Sequence, residues 1–181
     1  MLWFKRQYSA RMRDARMPCI AVIDIDGVIA DVRHRLHYVT SRPRDWDGFF
    51  AAAPMDGVLF EGLARVVDAI ADGLAIVYLT GRPEQCRAAT AAWLVQHHFP
   101  DGPLLMRDDG DRRPARLLKV EALRRLARES EVGFYLDDDA AVVEAARAAG
   151  FRAVQATWMT QATEVPEQRA LSLAQEDLGR S

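Results

Sequence analysis

The stretch Ile20-Ala21-Val22-Ile23-Asp24-Ile25-Asp26-Gly27-Val28-Ile29-Ala30-Asp31 constrains this chain more than any other. A short apolar run rich in Ile and Val stops at two carboxylates one residue apart, followed by a glycine. Runs of this length and composition predict a parallel strand buried on both faces. Acids at the end of such a strand do not serve packing, because unpaired buried charge is costly. At the carboxyl edge of an open α/β sheet they occupy the place where such sheets hold ligands. Asp24 and Asp26 alternate along the strand and therefore point to the same side. Two carboxylates about 4 Å apart repel by roughly 4 kcal/mol at an effective dielectric near 20, and a divalent cation or a shared proton relieves that repulsion. An acidic turn after a core strand is the plainer alternative.

Downstream, strand and helix patterns alternate. Residues 31–57 are irregular and hold Arg33, His34, Arg35, His37, Arg42 and Arg44, then a short helix that Asp45 caps and Pro54 ends. Leu59, Leu63, Val66, Val67 and Ile70 recur at helical spacing, with Gly73 suited to the residue after the helix. A second strand, 75–79, runs into Thr80-Gly81-Arg82-Pro83, where proline at a first turn predicts a helix to about His98. Leu104-Leu105-Met106 reads as a third strand and 116–129 as a helix. A fourth strand, 132–136, runs into Asp137-Asp138-Asp139. A helix through Val142, Val143 and Ala146 ends at Gly150, and 152–157 forms a fifth strand. Beyond Trp158 the chain turns polar and predicts a loose tail. This alternation implies a three-layer, Rossmann-like α/β fold with right-handed crossovers. The sheet is expected to be five-stranded and parallel, in the order 3-2-1-4-5 counted along the chain, with minimal or no cap.

At 181 residues the chain suits one well-buried domain. We expect that domain at 18–160, between a basic, disordered arm at 1–17 and a polar tail at 161–181. The formal net charge of -2 gives no global case for nucleic-acid or membrane binding, so local charge carries the argument. Two cysteines, Cys19 and Cys86, show no metal-ligand spacing and no disulfide framework, which points to reduced thiols in the cytoplasm. No run approaches membrane-spanning length, and no secretory signal precedes the first strand.

Strand ends carry the chemistry. Asp24 and Asp26 end the first strand, Thr80-Gly81-Arg82 the second, and Asp137-Asp138 the fourth, while Lys119 sits early in the helix between the third and fourth. If the first strand lies between the second and fourth, these residues converge on one crevice at the reversal of strand order. An acid cluster with a lysine, a hydroxyl and a glycine turn suits a phosphoryl group with Mg2+, which takes hard oxygen ligands. Threonine hydroxyl, backbone N–H groups and lysine can hold phosphate oxygens.

Asp24-Ile25-Asp26-Gly27-Val28, Thr80, Lys119 and Asp137-Asp138 match, in order, the four motifs of the haloacid dehalogenase-like phosphohydrolase superfamily, which this chain resembles. The resemblance implies Asp24 as the nucleophile of an aspartyl-phosphate and Asp26 as general acid and then base. It also implies Mg2+ on the Asp24 carboxylate, the Asp26 carbonyl and Asp137, with Asp138 in support. Thr80, Gly81, Arg82 and Lys119 would hold the phosphoryl group. A narrower similarity is to the 3′-phosphatase domain of phage-type polynucleotide kinase-phosphatase, over roughly residues 18 to 158. It rests on Thr80-Gly81-Arg82, Met106-Arg107, Gly110-Asp111-Arg112-Arg113, Lys119, and the Asp-Asp motif followed by Val142-Val143. Val28 stands where that family has threonine, and Asp139 where arginine is common. No Gly-x-x-x-x-Gly-Lys-Ser/Thr stretch is present, so this chain holds no P-loop kinase half.

The expected activity is that of a Mg2+-dependent phosphomonoesterase on a nucleotide or nucleic-acid end. Arg33, Arg107 and Arg113, with Arg35 and Arg42, are expected to form a basic track for the polyanion; a solvated loop paired with Asp31, Asp45, Asp47 and Asp111 is the alternative. Trp46, Phe49 and Phe50 either stack on a base or pack as a helix. A 5′-nucleotidase or general phosphatase is the alternative enzyme. A catalytically retired nucleic-acid-binding module is the alternative outside catalysis.

Overall fold

The computed structural model describes residues 17–161; the basic arm, apart from Met17, and the tail, apart from Gln161, lie outside the described residues. Strand β1 (Cys19–Ile23) is the centre of a five-stranded sheet. It pairs in parallel with β4 (Ala75–Pro83) on one side and β6 (Glu131–Asp137) on the other. The outer strands β5 (Leu104–Arg107) and β7 (Ala153–Gln155) complete the order β5-β4-β1-β6-β7. Counting only the sheet strands along the chain, this is the expected 3-2-1-4-5.

Alternation along β1 explains the three layers. Ala21 and Ile23 face a core with Val66 and Ala69 of helix α3 (Phe60–Ala71) and with Trp93 and Leu94 of α4 (Arg87–Gln96). Ile20 and Val22 face the opposite core. That second core holds Ala115, Val120 and Leu123 of α5 (Ala115–Leu126) and Val142, Val143 and Ala146 of α6 (Ala140–Ala148). A strand buried on both faces needs apolar residues at every position, which is why β1 shows no polar alternation.

Between β1 and α3 the chain makes a small insertion. A two-residue strand β2 (Ala30–Asp31) pairs antiparallel with β3 (Gly57–Val58), and two short helices, α1 (His37–Thr40) and α2 (Trp46–Ala51), lie between them. The Asp45 side chain accepts from Gly48 N at 2.7 Å and starts α2, as its sequence position predicts. Val32, Leu36, Val39 and Phe49 form a separate apolar cluster that Met159 closes.

Three local expectations change. β4 does not stop at Leu79; it runs to Pro83, which is extended (φ −69°, ψ 155°) and pairs with Arg107. Pro83 therefore ends a strand rather than opening a helix. A 3-10 turn at Glu84–Cys86 intervenes before α4. The chain beyond Trp158 is not loose at once. Helix α7 (Trp158–Gln161) seats Met159 in the insertion's cluster, and Trp158 Nε1 donates to the Val28 carbonyl at 3.0 Å. Among the described residues no helix is long and apolar enough to cross a membrane.

Candidate active site

The turn after β1 is locked from inside. The Ile25 carbonyl accepts from the N–H groups of Val28, Ile29 and Ala30 at 3.3, 3.0 and 2.9 Å, which reverses the chain immediately after the acids. Gly27 has φ +75°, and a Cβ there would lie 2.3 Å from Asp138 Oδ2. Only glycine satisfies both demands. The motif glycine thus lets the end of β6 approach the end of β1.

That approach gathers the acids. Asp24 is 2% exposed, and Lys119 Nζ donates to its Oδ2 at 2.8 Å. The same ammonium donates to Asp137 Oδ2 at 2.7 Å. Asp137 also accepts from the Asp139 N–H at 2.9 Å and from the Tyr135 hydroxyl. Oxygens of Asp24, Asp137 and Asp138 all lie within 4.8 Å of one another. Lys119 thus serves two buried carboxylates, Asp24 and Asp137, with the third, Asp138, close beside them. Burial pushes Asp24 up to about 7, helped by Asp137 and opposed by Lys119. Asp138 is also raised, by burial and then by Asp137 and Asp24. Burial alone would lower the pKa of Lys119, but Asp137 and Asp24 outweigh it and hold the ammonium charged. Among the described residues Asp24 Oδ1 is buried without a hydrogen-bond partner. An orphaned hard oxygen among three buried carboxylates within 4.8 Å of one another fits a divalent cation.

Asp26 has a different environment. Its Oδ1 accepts from Arg35 Nη2 at 2.7 Å and from Arg82 Nε and Nη2 at 3.0 and 2.5 Å. Both guanidiniums continue to Asp56, Arg35 through Nε and Nη2 and Arg82 through Nη2, each at 2.7 Å. Arg35 is fully buried, with its guanidinium 4.0 Å from the centroid of the Phe49 ring. Two guanidiniums and two carboxylates therefore close a buried ring behind the site, which the half-exposed His34 joins through Nε2, 2.9 Å from Asp56 Oδ1. Burial alone would raise the pKa of Asp26, but Arg35 and Arg82 overcome it and hold the carboxyl well below its ordinary range.

The sequence points to Asp26 and Arg82 but not to this arrangement. Arg35 reads as one basic loop residue among several, and nothing in the local sequence marks Asp56. Arg82, expected at the phosphoryl group, directs its guanidinium to Asp26, Asp56 and the Thr90 hydroxyl instead.

Thr80 is buried beside the cluster, and its Oγ1 accepts from the Arg82 N–H at 3.2 Å. Gly81 lines a small cavity together with Asp24, Asp26, Trp46, Phe50 and Arg107. A neighbouring cavity of about 250 Å³ shares Trp46, Phe50, Gly81 and Arg107. Phe49 is buried and reaches only the small cavity, whereas Trp46 and Phe50 are half-buried, stack at 5.8 Å and line both cavities.

The expected basic track is not continuous. Arg107 is buried and donates to the carbonyls of Asp111 and Arg113 at 3.1 and 2.7 Å. Its burial lowers its pKa, since desolvation outweighs Asp111. Arg33 clamps Asp31, and Arg113 pairs with Asp111 and Glu121, all near the surface. Arg35 is buried in the ring behind Asp26 and cannot line a track.

Among curated protein sequences none matches this chain. Among solved structures, it is similar to a chain of the Pnkp1/Rnl/Hen1 complex, with 25% identity and a TM-score of 0.64 over 77% of this chain and 45% of that one. It is similarly related to a chain of the Pnkp1/Rnl/Hen1 RNA repair complex, with 26% identity and a TM-score of 0.65 over 78% of this chain and 43% of that one. It therefore spans less than half the length of these relatives. The class C acid phosphatase from Bacillus anthracis, solved with tungstate bound, shares the fold at 13% identity, with a TM-score of 0.59 over 94% of this chain and 81% of that one. Residues 18–159 match the model of the polynucleotide kinase PNKP phosphatase domain. The chain belongs to that family of haloacid dehalogenase-like phosphatases and is a phosphoric monoester hydrolase.

Proposed function

We propose that this enzyme hydrolyses the phosphate of a nucleic-acid end or nucleotide, 3′-phosphatase-like, through an aspartyl-phosphate and with Mg2+. The supporting observation is Asp24, which is buried at the cavity, tied to Lys119 through Oδ2, and unpartnered at Oδ1. A carboxylate oxygen of Asp24 attacks phosphorus, and the bond from phosphorus to the leaving oxygen breaks. Thr80 already accepts from the Arg82 N–H, so its own O–H remains to donate to a phosphoryl oxygen. Lys119 supplies a second donor and a positive charge that grows in value as charge builds on the phosphoryl oxygens.

Asp24, Asp137, Asp138 and the Asp26 carbonyl would hold Mg2+. When bound, the cation neutralises carboxylate and phosphoryl charge. Asp26 is ionised between Arg35 and Arg82 and serves directly as the base that takes the proton of the water hydrolysing the aspartyl-phosphate. To protonate a leaving oxygen in the first half-reaction, it must first receive a proton and loosen one arginine. Both cysteines are free thiols, in keeping with a cytoplasmic setting.

The relatives from RNA repair complexes favour a nucleic-acid end. The 250 Å³ cavity equally suits a mononucleotide, which keeps a nucleotidase as the second reading. The deciding experiment measures phosphate release, with Mg2+, from 3′- and 5′-phosphorylated oligonucleotides, the matching mononucleotides and a sugar phosphate. We expect the 3′-phosphorylated oligonucleotide to have the highest kcat/KM. Preference for a 5′-mononucleotide or the sugar phosphate would overturn the substrate assignment. Asp24→Asn should lower turnover at least a thousandfold, and a loss of less than tenfold would remove Asp24 as nucleophile.

A further inference from the structure

A groove of about 720 Å³ runs between α5 and α6, on the face of the sheet that carries Lys119. Arg113, Arg116, Arg124, Arg125 and Arg128 line it against the single acid Glu121. The opposite wall, from the end of α6, presents Ala145, Ala148 and Ala149 and no carboxylate. Arg113 offsets Glu121 at 2.7 Å. Arg124, Arg125 and Arg128 are exposed and make no ion pair among the described residues. Arginines at a helix C-terminus gain from the helix dipole, but that end carries only about half a unit of negative charge. Three exposed guanidiniums beside an alanine wall therefore leave a strong positive excess, on a chain whose formal net charge is -2.

The groove joins the active site. A second cavity, of about 130 Å³, is lined by Thr80, Gly81 and Lys119 and by Asp108 and Asp111, the latter paired with Arg113, and shares Arg113, Glu121 and Arg125 with the groove. Nine residues of helix separate Arg116 from Arg125, about 13 Å along the axis, and Arg128 extends the line past the helix end. A row of exposed cations over a small-residue wall, adjoining the cavity that holds Thr80 and Lys119, fits a chain of regularly spaced anions. An acidic protein would have no reason to be led toward Lys119.

We propose that this groove binds the body of a single-stranded nucleic acid whose terminal phosphate enters the active site, with Arg124, Arg125 and Arg128 contacting backbone phosphates. The inference rests on the nucleic-acid reading of the substrate and names a surface for it. It shifts the polyanion path from the insertion side, where Arg33 is occupied by Asp31, to α5.

The test separates the groove from the chemistry by using a fluorescent single-stranded oligonucleotide of about ten residues with no terminal phosphate. Binding is followed by anisotropy across a salt series. Three phosphate contacts predict a slope of log K against log salt near −2, at about 0.7 per contacted phosphate for a single strand. Arg124→Glu with Arg128→Glu should weaken binding at least tenfold at low salt and flatten the slope by more than one unit. Arg124→Lys with Arg128→Lys should restore most of both. Melting temperature confirms that each variant is folded. Unchanged affinity and slope in a folded double-Glu variant would overturn the proposal. So would no binding by the parent, or equally tight binding of a poly-glutamate peptide, the latter marking a protein-docking face. Because the probe cannot be hydrolysed, none of these results depends on whether the enzyme prefers a 3′ end, a 5′ end or a mononucleotide.

Discussion

Asp24 and Asp26 stand two residues apart on one strand end, yet their surroundings drive their protons in opposite directions. Asp24 is buried among carboxylates with a single shared ammonium, and Asp26 sits between two guanidiniums. The ring of Asp26, Arg35, Asp56 and Arg82 is buried, so removing one guanidinium leaves buried charge poorly compensated. Arg35→Gln would leave Asp26 and Asp56 repelling each other with Arg82 as the remaining guanidinium between them and His34 against Asp56 alone. We expect a loss of about 3–5 kcal/mol in urea denaturation, the usual cost of breaking a buried pair from one side. A change below 1 kcal/mol would show that water already enters the ring. The acids on the strand ends were legible because an apolar run that stops at carboxylates puts charge where packing has no use for it. Arg35 and Asp56 were not, because they meet across 21 residues of irregular chain, and no local pattern encodes a pairing made by tertiary packing.

At the scale of elements, the catalytic turn depends on how closely α3 can approach it. A Cβ at Gly62 would lie 1.9 Å from the Val28 carbonyl oxygen, a contact that no side-chain adjustment relieves. Gly62→Ala must push helix and turn apart. We expect about 1–3 kcal/mol of destabilisation, the range for overpacking, and a fall in kcat from the displaced Asp24-to-Asp26 turn. Gly110→Ala, where an added Cβ meets nothing within 4 Å, serves as control and should change stability by no more than about 0.5 kcal/mol. Equal effects of the two substitutions would refute this packing account. α3 itself was readable from its apolar spacing and from Gly73, whose φ of +80° ends it as expected. The extension of β4 through Pro83 was not. A proline after Thr-Gly-Arg locally suits a helix start, and only pairing with Arg107 on a neighbouring strand holds it extended.

For the whole molecule, the acid cluster makes stability depend jointly on pH and on the metal. Without a cation, Asp24 keeps its proton up to about 7, whereas in the unfolded chain it titrates near its ordinary 3.8. Between those values the native state binds more protons than the unfolded state, so stability falls as pH rises. The slope reaches at most about 1.4 kcal/mol per pH unit for each such group. Asp138, also raised, acts in the same direction. Asp26 is held low and is ionised in both states above about pH 5, so it adds no slope there; its stabilisation is lost only as pH falls below the ordinary carboxylate range. In EDTA the protein should therefore melt at a higher temperature at pH 5 than at pH 7.5. A cation that binds only the folded, deprotonated cluster adds stability as its concentration exceeds its Kd. Millimolar Mg2+ should thus raise the melting temperature at pH 7.5 and change it little at pH 5. Asp24→Asn removes one buried charge, so it should flatten the decline in EDTA and reduce the response to Mg2+, even though the variant is inactive. The opposite outcome, a melting temperature in EDTA that rises from pH 5 to 7.5 with no Mg2+ response at either pH, would mean that the carboxylates are already compensated within the protein and that this cluster is not a cation site.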